Sequence, residues 1–474
     1  MAPTTIRSRT DGLAAPPRAL ALACAAGLAC AGGAATALEL GFEARALVQR
    51  SDNIGFDDAG EEDAGTLGFA TVGLFGDRRS PRIDLGFSGE IDTRRRLDDE
   101  DDDWDSISRF LGAAEFRITP RALTWYVGDV LGGVLDDTLQ PVDGFETRRR
   151  NVFVTGPALE TPLGAFGRLD ARLLYVNQSE EGDELETLYS GYAEYRRERV
   201  VGRFLGVKGS NVFTDAPQAS GELDFNRTSA AALAGRERGP WALYGELGAT
   251  AYATDDESVS GVAALGRVTR VLGPESLVAL TLSRDLNDQT LGTVEGLIAD
   301  GVGERQDADG IFVETRVALE YSSDGASVNA LAGIGVADID YELEVEGDAF
   351  SELADDQDQL QGLAYAALGR ALSPTLRGEL AVDYRREEFD IGPDELTSVL
   401  ATARLLWRFS RSFELEGSYL VDRATGTETR ADEDGVALAR DVDRTENRVG
   451  IGIRWAPPTR ASRDLTVELK SLIR

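Results

Sequence analysis

The chain has no histidine, and its two cysteines, Cys24 and Cys30, and its single methionine all fall within the first 37 of 474 residues. From Leu38 onward there is no imidazole base, no thiol nucleophile and no Cys/His metal set. Ser-His-Asp and Cys-His hydrolysis are thereby excluded. Lysine is also nearly missing: Lys208 and Lys470 are the only two, so positive charge rests on arginine. Carboxylate pairs remain as catalytic candidates. With 83 Asp and Glu, the nearness of two acids carries no information. No enzymatic activity, catalytic residue, cofactor or metal site is expected.

Basic charge is scarce as well. The net charge is −34 at pH 7, which rules against nucleic acid as a partner, since that binding runs on phosphate neutralisation. No run reaches the roughly 20 apolar residues of a spanning helix. The longest apolar stretch, 19–31, follows Arg7, Arg9 and Arg18 and precedes Ala35-Thr36-Ala37. That order is a secretory signal peptide over residues 1–37, with Leu38 as the expected mature start. Ala-Leu-Ala before Cys24 and Gly-Leu-Ala before Cys30 are poor lipid-attachment contexts, so no lipid anchor is expected. Removing this segment takes away three Arg and one Asp and leaves a net charge of −36.

What the chain does have is alternation. From residue 38 onward, apolar and polar side chains exchange places every residue in about 20 segments, most of them about 9–11 residues long. Ile83, Leu85, Phe87 and Ile91 alternate with Asp84, Ser88, Glu90 and Asp92. Leu376, Leu380, Val382 and Tyr384 alternate with Arg377, Glu379, Ala381, Asp383 and Arg385. Period two gives a strand one apolar and one polar face. Strands of this length with lipid on one face and water on the other build a transmembrane barrel.

The connections sort into two classes. Short ones at 77–82, 119–121, 236–240, 273–276, 322–325, 373–375 and 410–412 carry Gly, Pro, Ser and Asp. Long ones at 51–65, 97–105, 136–149, 288–310, 346–358 and 424–442 hold much of the acidic excess. Short periplasmic turns and long outer loops are the expected asymmetry. Trp125, Trp241, Trp407 and Trp455, with Phe116, Phe166, Phe409 and Phe413, lie near short turns and read as one interfacial girdle. Trp104, in an acidic loop, is the exception. The turns count to 20 or 21 strands, with 130–150 and the tail 463–474 as the ambiguous stretches. A single-chain barrel should be even. The acidic run 98–105 offers carboxylate oxygens to divalent cations, but it lacks the spaced ligands and turn glycine of a calcium loop and reads as a solvated loop.

The expected fold is all-β: one antiparallel transmembrane barrel of about 18–20 strands over residues 38–474. A ring of that size encloses more space than side chains fill. The expected lumen-lining residues are Arg168, Asp170, Arg172, Glu314, Arg316, Arg377, Glu379, Asp383, Arg404, Arg408, Arg448 and Arg454. They either line a water-filled path or satisfy one another across strands.

Two stretches resemble a known group. Arg50-Ser51-Asp52-Asn53-Ile54 is similar to the S/T-D-N-[IVL] element that opens the β-barrel outer-membrane proteins encoded in exopolysaccharide and exosortase loci. Asn151-Val152-Phe153-Val154-Thr155-Gly156-Pro157 resembles their NVFxxGP segment. The resemblance implies an outer-membrane barrel serving polysaccharide export; it supplies no mechanism. The chain departs from the usual barrel ending, because 467–474 finish without an aromatic residue.

The leading expectation is therefore an outer-membrane conduit or structural barrel linked to exopolysaccharide export. A general diffusion porin and a plugged surface-binding barrel are the alternatives. TonB-dependent uptake is not expected, since no plug domain precedes the first strand. Expected partners are outer-membrane lipid, lipopolysaccharide and an exopolysaccharide export machinery.

Overall fold

A computed structural model describes residues 38–54, 63–98, 104–119, 122–135, 147–180, 183–215, 224–254, 258–288, 302–304, 310–325, 327–344, 358–389, 395–431 and 437–458. The signal segment 1–37 and the tail 463–474 lie outside them. The strands, in chain order, begin with β1 Glu39–Ser51, β2 Gly65–Arg79, β3 Ile83–Arg96, β4 Asp105–Thr119, β5 Leu123–Leu135, β6 Thr147–Leu163 and β7 Gly167–Glu180. They continue with β8 Asp183–Val200, β9 Arg203–Asp215, β10 Asn226–Arg238, β11 Trp241–Ala253, β12 Ser258–Gly273, β13 Ser276–Asp288 and β14 Val302–Glu304. The last are β15 Gly310–Asp324, β16 Val328–Glu344, β17 Gln359–Ser373, β18 Leu376–Phe389, β19 Glu395–Arg408, β20 Phe413–Ala431 and β21 Ala437–Trp455.

Each strand except β13 and β14 pairs antiparallel with its successor, β13 pairs antiparallel with β15, and β21 returns to β1. Twenty of the 21 described strands thus form one closed ring, which satisfies every edge and gives the even count. The expected fold is the observed one. Among the described residues no helix is long and apolar enough to cross a membrane; the crossing is made by strands.

The apolar rows face outward. Leu40, Phe42 and Val48 on β1, Leu380 and Val382 on β18, and Val449, Ile451 and Ile453 on β21 are all exposed. A water-soluble protein would hide such residues; a barrel presents them to lipid. At one rim the connections are two to four residues long, and both the start of β1 and the end of β21 lie there. Glycines with φ of 74°, 74° and 59° at Gly164, Gly202 and Gly239 make three of these turns possible. Trp125, Phe166, Trp241, Trp407, Phe409, Phe413 and Trp455 are exposed near this rim; Phe409 stacks on Phe413 and meets Trp407 at a tilt.

Two sequence readings change. Residues 424–442 are mostly strand: β20 and β21 stay in register from Gly426↔Val442 to Ala431↔Ala437. This extension has no apolar alternation to signal it, yet its threonines suit strand geometry. The closing strand also ends earlier than the chain. Its last residue is the aromatic Trp455, seated against Phe42 at 5.3 Å between ring centroids.

Candidate functional site: the inner wall of the barrel

Side chains on the face opposite the apolar rows form the inner wall, where Arg, Asp and Glu recur along the described strands. At the seam, Arg45 on β1 stands directly opposite Arg454 on β21. Two like charges in that position repel unless acids interleave. Glu43 accepts from Arg454 at 2.5 Å, and Glu416 of β20 accepts from Arg45 at 2.7 Å. Arg404 and Arg408 of β19 approach Glu416 at 4.0 Å and Glu414 at 3.8 Å. On β18, Arg377 pairs with Glu379 at 2.8 Å and Arg385 with Glu387 at 2.7 Å, and Asp383 shares their face.

Exposure within these pairs is unequal. Glu43 and Glu416 are 7% and 8% exposed, while Arg404 and Arg408 are 50% and 66% exposed. The carboxylates lie against the wall and the guanidiniums reach past them. A solute along this wall meets arginine first.

A second charged concavity, about 620 Å³, lies on the turn side of β3–β7. Arg168 bonds Glu160 at 3.0 Å and Asp170 at 3.4 Å; Arg172 reaches Asp170 at 3.7 Å. Arg117 joins Glu115 at 3.1 Å and also bonds Asp84. Further round, Tyr192, Glu194 and Arg196 form one chain and Tyr244, Glu246 and Lys208 another. Tyr365 lies across Gly333 to donate to Glu320 at 3.0 Å; a Cβ at Gly333 would sit 2.4 Å from the ring. Arg316 shares that wall, and Glu314 accepts from Asn287 at 3.4 Å, but neither joins the two clusters.

Above the concavity the inner wall of β4–β9 is apolar and buried: Ala113, Val130, Val152, Val154, Leu174, Val176, Leu188 and Val212 pack together. The chain near this sector is also unusual. It leaves the ring at Asp288, places β14 parallel to Gly133–Leu135 of β5, and rejoins the ring at Gly310 of β15. β5 and β15 are nine strands apart in a ring of twenty, close to diametrically opposed. A circular ring of this size is about 40 Å across, from strands ~4.8 Å apart tilted ~40°. Six residue steps from Glu304 to Gly310 span at most about 22 Å, and a ladder adds ~5 Å. The walls at β5 and β15 therefore approach within about 27 Å at this mouth.

The Ser51-Asp52-Asn53 stretch fastens the seam at the loop-side end. Ser51 and Asn53 are fully buried. Ser51 donates to Glu446, the Asn53 amide donates to Ser51 Oγ at 3.0 Å, and Asn53 Nδ2 donates to the Thr445 carbonyl at 3.3 Å. Asp52 accepts from Asn447 N–H at 2.6 Å and Nδ2 at 2.8 Å. Arg448 is buried here, donating to Glu446 at 2.5 Å, so of the expected lining residues it is held inside the seam. Outside the membrane span, Asp63 and Asp98 converge on Arg96. The guanidinium bond holds the Asp63 carboxyl below its usual range; the Thr66 N–H does the same for Asp98.

The alternation in the sequence leads to the expectation that these charged residues share one face; it gives no sign of how they are arranged on it. The partnership of Glu43 with Arg454 and of Arg45 with Glu416 depends on ring closure. Among the described residues, no group of three or more Asp, Glu, His or Cys is placed to hold a metal ion.

No family model matches the chain, and no curated protein matches it significantly by sequence. Solved structures do match. The FrpB iron transporter from Neisseria meningitidis (F3-3 variant) aligns at TM-score 0.50 and 10% identity, covering 90% of this chain and 82% of that one. The siderophore receptor PirA from Pseudomonas aeruginosa aligns at TM-score 0.44 and 10% identity, covering 88% and 80%. OccAB4 from Acinetobacter baumannii aligns at 0.38 and 11%, covering 89% and 98%. At 10% identity the likeness to FrpB concerns the fold alone, a large closed antiparallel barrel of the outer-membrane type.

Proposed function

We propose that the protein is an outer-membrane conduit for small hydrophilic solutes, favouring anions along its β18–β1 wall. The observation that carries this reading is the layering of that wall, with buried carboxylates beneath exposed Arg404 and Arg408. Fixed guanidiniums facing water attract anions and repel cations across a few ångströms. The acidic loops act in the opposite sense at the mouth, but their charge is exposed and screened within about 8 Å at physiological salt.

Reconstitution into planar bilayers tests it. Wild type is expected to conduct, with a reversal potential in a KCl gradient on the anion side. Arg404→Gln with Arg408→Gln is expected to move that potential toward the cation side without changing folded yield. Cation preference in wild type that disappears when the acids at 98–103 are neutralised would give the loops control. Absence of conductance would replace the conduit with a plugged surface-binding barrel.

A second reading, exopolysaccharide export, is supported by the resemblance at 50–54 and 151–157. The walls near β14 weigh against it, since an approach of about 27 Å between backbones, shared with β14 itself, leaves little width for a hydrated polymer. The seam contacts of Ser51, Asp52 and Asn53 also give the first of those stretches a structural purpose in any such barrel.

A further inference from the structure

On the outer surface of β8–β12, five arginines lie close to the short turns. Arg203 of β9 stands directly opposite Arg236 of β10. Arg238 stands opposite Trp241, and Trp241 opposite Arg270, whose guanidinium lies 5.1 Å from the indole centroid. Arg197 of β8 is opposite Leu205, one rung higher. All five share the outward face of Leu205, Leu243 and Leu247, which are exposed, and the β8–β9 turn adds exposed Val200 and Val201.

These arginines differ from those of the inner wall. Among the described residues none of the five forms an ion pair. The acids nearest in sequence, Glu198 and Glu237, alternate onto the inner face, and Glu198 accepts from the Gly202 N–H at 3.0 Å. In a chain of net charge −34, five unpaired cations in one arc is a pronounced departure. Arg203 against Arg236 is moreover a directly opposed like-charge pair, which is unfavourable unless an anion lies between them.

The depth of the arc says what that anion is. Trp241 belongs to the aromatic girdle that marks the interface on the short-turn side. Arginine at that depth keeps its head among polar headgroups while the leucines above it meet acyl chains. Guanidinium is matched to phosphate by its fork of donors. We propose that this surface binds an anionic phospholipid of the periplasmic leaflet, its phosphate between Arg203 and Arg236 and its chains along Leu205, Leu243 and Leu247. The site is independent of whether the lumen conducts.

Native mass spectrometry of the detergent-solubilised protein, with phosphatidylglycerol or phosphatidylethanolamine added in equal amounts, tests this. Wild type is expected to retain phosphatidylglycerol at least ten-fold better. Arg203→Gln/Arg236→Gln/Arg238→Gln is expected to lose that preference, while Arg370→Gln, on the same rim but away from the arc, keeps it. Heat-modifiable migration on gels reports folding. If the triple variant does not fold, R203Q and R236Q made singly are each expected to lower retention at least three-fold. Equal retention of the two lipids, or an unchanged preference in folded variants, overturns the proposal. Complete displacement by millimolar inorganic phosphate overturns the lipid assignment in favour of a simple anion site.

Discussion

The inner wall of β4–β9 and the inner wall of β18–β1 face the same lumen but are built on opposite principles. In the first, valines and leucines pack and are buried, and β14 adds to β5 beside them. In the second, Arg and Glu interleave across five strands, and Arg404 and Arg408 stand exposed. One sector behaves like the core of a soluble protein and the other like the bank of a water channel. The difference teaches that a barrel interior need not be uniform: one sector of the inner wall buries apolar side chains against one another, while the other keeps its charges paired or hydrated.

The strongest test of this contrast is one acid placed on each bank. Val152→Asp puts an uncompensated charge among fully buried neighbours and is expected to cost about 3–5 kcal/mol, seen as a large drop in folded yield and urea midpoint. Thr402→Asp, beside Arg404 on the charged bank, is expected to fall within about 1 kcal/mol of wild type. Similar losses at both positions would mean that the two walls share one environment.

The next test moves to the lipid side of the charged bank. Leu380 is exposed on the outer face and Glu379 lies on the inner face, paired with Arg377. Leu380→Arg is expected to cost about 2–4 kcal/mol and impair assembly, whereas Glu379→Arg should leave assembly intact. Equal folded yields for the two variants would refute the facing.

Smaller effects are expected where the banks meet at the seam. Ser51→Ala removes a hydroxyl that serves both Glu446 and the Asn53 amide, and is expected to cost about 1–3 kcal/mol by leaving buried groups unpaired. Asp52→Ala, at a more exposed site, should cost less than Ser51→Ala. A reversed order would show that the outer pair with Asn447 holds the seam.

The smallest effect lies at the loop-side end of β3. The Asp63 and Asp98 carboxyls are both depressed below 3.8, so their contacts with Arg96 and Thr66 contribute fully above that pH and are lost as pH falls through the depressed values. Amide exchange at Thr66, whose N–H bonds Asp98, should therefore differ between wild type and Arg96→Ala at pH 6 and converge once acid has protonated both carboxyls. A difference that persists at low pH would place the bond elsewhere.

The barrel, its two rims and the facing of nearly every strand were legible along the chain because they are local. Lipid outside and water inside impose a period of two, and the turn lengths separate the rims. Leu380 and Glu379 needed only their neighbours in sequence to be placed. The same rule failed at 424–442, where both faces of the hairpin are polar and no period marks the strand. Other features are non-local. That Arg45 meets Glu416 across 371 residues follows from the register of a ring that closes β21 on β1. That Arg448 is buried while Arg404 is exposed depends on the seam packed around it. The approach of β5 to β15, and the unbalanced arginine arc outside β8–β12, exist only once strands far apart in the chain are set side by side. Alternation records which solvent each residue faces; only closure of the ring decides which residue it faces across the strand or the lumen.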